Sequence, residues 1–177
     1  MAELSPGLRV SFDERIHVAS LRYFDSRGGF SHTVRRVVGL EFPNIGRASV
    51  AAGGSGPDRT ILAWRSPTET LLLSEQTTLI EQLESETATH PDGCIVELTG
   101  GACVVRADGE AAPELFYRIG GQATWPHLGE ARRSRLAEVP VLALQAQPGE
   151  ILLVLDRVYV EHLMAWILAT AADLKAW

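Results

Sequence analysis

Thr60-Ile61-Leu62-Ala63-Trp64, followed by Pro67-Thr68-Glu69-Thr70-Leu71-Leu72-Leu73, repeats later as Pro140-Val141-Leu142-Ala143-Leu144 followed by Pro148-Gly149-Glu150-Ile151-Leu152-Leu153-Val154. Each copy is a run of strand formers, a turn with proline two residues before a glutamate, a second apolar run, and then a helix carrying Leu83 or Leu163. A hairpin of this kind is not stable alone, and it buries its apolar face by having a helix laid across it. Two copies in one chain predict an internally duplicated α+β fold.

Working outward, Ile16–Phe24 reads as a strand, and 25–29 as a turn. Phe30, Val34, Val37 and Val38 recur at helical spacing, with Gly39 placed to end the helix. Strands are expected over 47–52, 60–64 and 70–73, with Gly53-Gly54-Ser55-Gly56-Pro57-Asp58 as a hairpin loop and Ser74 as the cap of the next helix. His90-Pro91-Asp92-Gly93 breaks the chain near its middle. Beyond it, Cys94–Leu98 and Ala102–Arg106 read as strand, with Thr99-Gly100-Gly101 as a kink or bulge. Ala112, Leu115, Phe116 and Ile119 form a short helical stripe ended by Gly120-Gly121, and Pro113 is tolerated in its first turn. Ser134–Leu144 and Ile151–Leu155 read as strands, and Asp156 as the cap of a last helix from about 157 to 174. The expected organisation is an N-terminal arm (1–15), a first α+β half (16–90) and a second (91–177), one compact domain overall. Each half runs strand, helix, strand, strand, helix, with antiparallel-rich sheets covered by helices.

The 177 residues allow roughly 70% of the unfolded surface to be buried, so a core needs no covalent staples. A net charge of −6 and a pI near 5.4 argue against nucleic acid and anionic membrane surfaces as partners, because both are bound through lysine and arginine. The first ten residues lack the apolar core of a signal peptide, and no run of 18 apolar residues exists, which points to the cytoplasm and to no membrane span. Cys94 and Cys103 are too few for a disulfide framework and read as small buried hydrophobes.

No grouping of residue types in the sequence marks a reactive centre. His17, His32, His90, His127 and His162 show no metal-ligand spacing. Gly53–Gly56 lacks the lysine and the following helix of a phosphate loop. Asp108, Glu110 and Glu114 are acids near a helix N-terminus, which favours negative charge there. Two features point to a protein partner. Tyr159, Leu163, Trp166, Ile167, Thr170 and Leu174 form one stripe on the last helix, and Val160, Met164 and Leu168 form a second. The helix is therefore apolar over more than half its circumference, beyond the single stripe of an ordinary surface helix, so it touches something besides its own sheet: a partner, or the N-terminal arm or the other half laid over it. Arg132, Arg133 and Arg135 form a basic cluster suited to an acidic patch or to the charged edge of a sheet. The candidate interface is thus Val160, Met164 and Leu168 with Arg132, Arg133 and Arg135.

The order of several motifs resembles a known superfamily. Glu97-Leu98-Thr99-Gly100-Gly101, then Val104-Val105-Arg106, Gly109 and the Leu115-Phe116 helix look like a motif of the aminomethyltransferase (GcvT-like) superfamily. Arg133 with Leu136-Ala137-Glu138-Val139-Pro140-Val141-Leu142 is similar to a stretch of heterotetrameric sarcosine oxidase gamma subunits. Tyr159, Leu163, Trp166, Ile167 and Ala171 resemble their closing helix, and Ser66-Pro67-Thr68-Glu69-Thr70-Leu71-Leu72 their Gly-Pro-Asp-Glu-Trp-Leu-Leu. Thr68 and Thr70 stand in place of the Asp and Trp of that last motif, Glu97 supplies the acidic start of the first, and Ala102 replaces its Arg. The resemblance spans residues 16–174 and implies a fold like the N-terminal domain of an aminomethyltransferase. It also implies a non-catalytic subunit packed against large alpha and beta subunits that demethylate sarcosine to glycine. FAD, FMN, NAD and tetrahydrofolate are then expected in those subunits and none in this chain. Two alternatives stand beside it: a free-standing folate-binding protein with Glu97 as the pterin carboxylate, and a homodimer joined through the last helix.

Overall fold

The computed structural model describes residues 2–5, 7–51 and 59–174. In chain order the elements are β1 (Ala2–Ser5), β2 (Leu8–Phe12), β3 (His17–Tyr23), α1 (Gly29–Val38), β4 (Ala48–Val50), β5 (Thr60–Ser66), β6 (Glu69–Ser74), α2 (Thr77–Thr87), β7 (Gly93–Glu97), β8 (Ala102–Asp108), α3 (Ala112–Gly120), β9 (Ala131–Leu136), β10 (Val139–Gln147), β11 (Glu150–Asp156) and α4 (Val160–Leu174). They form two units. One is residues 15–99; the other joins residues 1–14 to 100–177. The glycine-rich segment 53–58 lies outside the described residues.

In the 15–99 unit the sheet runs β4-β5-β6-β3-β7, every neighbour antiparallel. Without β4, the short edge strand, this is a split βαββαβ unit. One face carries Ala19, Leu21, Tyr23, Leu62 and Leu72 against Phe30 and Val34 of α1 and Leu79, Ile80 and Leu83 of α2. Strands β5 and β6 are buried on both faces, which is why 71–73 reads as a continuous apolar run and not as an alternation. Gly39 ends α1 in the left-handed conformation, its N–H bonding to the Arg35 carbonyl, as its position in the sequence predicts. The other end of α1 has no local cap. Instead Asp92, from the loop before β7, accepts from the Phe30 N–H through both carboxylate oxygens at 3.2 and 3.1 Å. Ser74 is not a helix cap: it closes β6, its Oγ accepts from the Gln76 N–H at 3.1 Å, and α2 starts at Thr77.

The second unit has the sheet β1-β2-β8-β11-β10-β9. Its β8, α3, β10, β11 and α4 repeat β3, α1, β5, β6 and α2. The registers show the duplication: Ile61 faces Leu73 as Leu142 faces Val154, and Ser66 faces Glu69 as Gln147 faces Glu150. Both hairpins also shift register at the same place, between Trp64 and Ser66 and between Leu144 and Gln147. The offset is constant along the hairpin, so Ile61 corresponds to Leu142, one residue away from the correspondence that the sequence suggests for the first strand. The helices agree as well: Leu79, Leu83 and Thr87 of α2, and Leu163, Ile167 and Ala171 of α4, are the buried i, i+4, i+8 positions.

Three expectations need correction. First, Ser134–Leu144 is not one strand. Ala137 and Glu138, with φ of 47° and 66°, turn the chain between β9 and β10, which pair from Leu136–Val139 outward. A two-residue hairpin with both φ positive is ordinarily announced by Asn-Gly, and Ala-Glu gives no such signal. Second, Thr99-Gly100-Gly101 is no bulge. Strands β7 and β8 belong to different sheets, and the segment carries the chain from one unit to the other. Third, Leu8–Phe12, read as part of an arm, is a paired strand beside β8, with Leu8 and Val10 in the core of the second unit. It occupies the place that β7 holds in the first. In that unit the fourth strand follows the second helix; here it comes from ahead of the other unit.

Candidate functional site

Helix α4 decides how much apolar surface the second unit leaves open. At 100° per residue, Val160 and Met164 fall beside Leu163, Ile167 and Ala171. They are half-buried and pack on the core of their own unit. Leu168 falls on the flank just past Met164 and stays 49% exposed, Trp166 is 51% exposed on the opposite flank, and Ala165, Ala169 and Ala172 lie exposed between them. The expected second stripe is therefore split. Two of its members face inward, and the outward face carries Trp166, Ala169, Ala165, Ala172 and Leu168, interrupted by the exposed Glu161, His162 and Asp173. Just ahead of the helix, Val158 and Tyr159 are exposed as well. Trp166 was assigned in the sequence to the stripe of Leu163 and Ile167. It sits at the rim of that stripe, and only the width of the contact shows its exposure.

The three arginines stand on β9, an edge strand of the six-stranded sheet. Arg132 is engaged: it donates to the Ala123 carbonyl at 2.6 Å and to Glu130 at 3.0 Å. Arg135 makes an exposed ion pair with Glu138 across the tight turn, at 3.1 Å. Arg133 projects from the edge as an exposed charge.

Each unit also carries an open cleft at the same corner of its sheet, beside the hairpin turn. In the first unit the rung across three strands reads Cys94–Arg22–Glu69; in the second it reads Arg9–Asp108–Glu150. The first cleft, about 510 Å³, adds Tyr23, Phe24, Thr68, Pro91 and Gly93. There Glu69 accepts from Ser20 Oγ at 2.5 Å and pairs with Arg65 at 3.1 Å. The second, about 720 Å³, has Trp125, Pro113 and Pro148 as apolar walls. Here Arg9 grips one oxygen of Asp108 at 2.6 Å, and Arg106 bridges Asp13 and Glu150, the latter at 2.6 Å. Glu69, Asp108 and Glu150 are paired with arginines, and Glu110 also lines the second cleft. The sequence offers no hint of these rungs, because each assembles residues more than 40 positions apart.

Among the described residues no group of three His, Cys, Asp or Glu could hold a metal ion. The histidines serve separate local bonds: His17 with Thr77, His90 with Thr33, and His162 with the Ala137 carbonyl. Both cysteines are free thiols. Cys94 is exposed and Cys103 half-buried, so Cys94 is not the buried hydrophobe that the sequence suggests. Glu97 is exposed on β7 and lines neither cleft. No helix among the described residues is long and apolar enough to cross a membrane.

This arrangement defines a class: a duplicated α+β protein with antiparallel sheets and helical cover. The solved structures narrow it. A chain of the heterotetrameric sarcosine oxidase from Corynebacterium sp. U-96, in complex with pyrrole 2-carboxylate, superposes with a TM-score of 0.83 at 20% identity, covering 96% of this chain and 86% of that one. The glycine cleavage system aminomethyltransferase T from Bartonella henselae superposes with a TM-score of 0.66 at 10% identity, over 92% of this chain but only 45% of that enzyme. No protein-family model and no curated protein matches the chain. The fold is the aminomethyltransferase-like one that the motif order implied, in the short form found in a chain of the heterotetrameric oxidase.

Proposed function

We propose that this chain is a non-catalytic, gamma-type subunit of a flavin-dependent heterotetrameric sarcosine oxidase. The observation that carries the reading is the near-complete mutual coverage with a chain of such a heterotetramer. An aminomethyltransferase, by contrast, is more than twice as long as the part it shares. The role is assembly. The outward strip of α4 from Trp166 to Leu168, with Arg133 and Arg135 on the edge of β9, docks against the large alpha and beta subunits. FAD, FMN, NAD and tetrahydrofolate reside in those subunits, which oxidatively demethylate sarcosine in the cytoplasm.

The reading has a physical basis in the exposed strip. Apolar side chains left in water forgo about 25 cal/mol per Å² that docking recovers. Co-expression with the large subunits tests it. A stable four-chain complex that loses flavin content or solubility when this chain is omitted is expected. A chain that elutes alone in every such preparation refutes it. Titration with tetrahydrofolate separates the alternative folate-binding reading: saturable binding by the isolated chain, abolished by Glu97→Gln, favours that one instead.

A further inference from the structure

We infer that this chain can form a homodimer by exchanging residues 2–12 between copies. The strand beside β8 in the second unit is β2, which precedes residues 15–99 in the chain. Leu8 and Val10 are buried in its core beside Val105, Ala107 and Leu153. Four residues, Asp13–Ile16, join this segment to β3. All its contacts in the second unit are with residues 100–177: Arg9, Val10, Ser11 and Phe12 face Asp108, Ala107, Arg106 and Val105. The exchange also preserves the Arg106–Asp13 ion pair and the bond from the Asp13 N–H to the Val104 carbonyl. A strand from a second copy makes every one of these contacts in the same register. Only the hinge opens, and Glu14 within it is exposed. No new surface has to form, which is what makes exchange of an identical element a low-cost route to dimers. The acceptor is the β8 edge and its apolar corner; the occupant is residues 2–12 of another copy.

The test uses the full chain with Cys94→Ser and Cys103→Ser, carrying Arg9→Cys and Asp108→Cys on β2 and β8. These positions face each other, and antiparallel partners lie about 4.5–5.5 Å apart at Cα, within disulfide reach. The chain is unfolded, refolded at two concentrations, oxidised and run on a non-reducing gel. With an effective concentration of about 1 mM for the tethered strand, covalent dimer is expected to be under about 1% after refolding at ~5 µM. At ~500 µM it should be about a third. Deleting Glu14 should raise the dimer fraction at the lower concentration, because short hinges favour exchange, and inserting two glycines after Glu14 should lower it. Monomer-only disulfides at the higher concentration in the parent chain overturn the inference, whether or not the deletion variant folds. So does a dimer seen by light scattering whose disulfides are all within one chain, since its interface then lies elsewhere. Neither outcome depends on whether the chain joins larger subunits.

Discussion

Ile167 and Leu168 are neighbours in sequence with opposite fates, and the pair separates folding from assembly. Ile167 is 1% exposed in the core of its unit. Truncation to alanine removes three carbons and leaves a cavity, a change that costs about 2–5 kcal/mol. For a chain of this size each kcal/mol shifts the melting point by about 2–4 °C, so Ile167→Ala should lower it by about 4–20 °C. Leu168→Ala removes the same three carbons, worth about 2.4 kcal/mol at roughly 0.8 per carbon if fully buried. Because Leu168 is 49% exposed, about half of that is gained on folding. The other half, about 1.2 kcal/mol, is gained only on docking. The expected result is a shift of a few degrees in melting, with affinity for the large subunits weakened roughly eightfold. Calorimetry on the isolated variants and a titration against the purified large subunits measure the two. Equal melting shifts for both variants, or unchanged affinity for Leu168→Ala, refute the assignment of α4's outward strip as the contact.

Other outcomes follow from the packing. Asp92→Ala removes the carboxylate that caps the Phe30 N–H at the start of α1 and should cost about 1 kcal/mol, with Asp92→Asn recovering most of it; urea unfolding reads both. Gly93→Ala places a methyl group into the Phe30 ring, which is wholly buried, and within 2.8 Å of the Arg22 carbonyl. It should cost about 1–3 kcal/mol as overpacking, and a wild-type melting temperature would show that the ring can move. Ala137→Asn with Glu138→Gly supplies the residues that a turn with two positive φ angles prefers. It should raise stability by roughly 1 kcal/mol; a lower urea midpoint would mean that the exposed Arg135–Glu138 pair matters more than backbone strain.

Much of the fold is legible in the chain. The two hairpins, the helical stripes, the Gly39 stop and the duplication are local patterns, and local patterns follow from side-chain periodicity and from what glycine and proline permit. Most of the misses share one cause. The cap of α1 comes from Asp92, 62 residues beyond Phe30. The fourth strand of the second unit comes from residues 8–12, and the corner rungs tie Arg9 to Asp108 and Glu150. Each is a long-range pairing, which periodicity cannot encode. The Ala137-Glu138 turn was hidden for a different reason: surrounding β-structure imposes a conformation that those residues do not choose.

For the candidate interface the division is the same. Hydropathy along 159–174 established that α4 is too apolar for a single stripe, because composition and a 100° step are enough for that. Which apolar residues remain in the open was set by packing. A helix lying on a sheet covers a sector wide enough to take in Val160 and Met164, and Leu168 lies just beyond it. The motif order implied an aminomethyltransferase-like fold, and the structure has that fold. Only the folded chain shows that residues 8–12 complete the sheet of the second unit, because the strand joins whichever free edge its alternating Leu8 and Val10 can bury, regardless of where it stands in the chain.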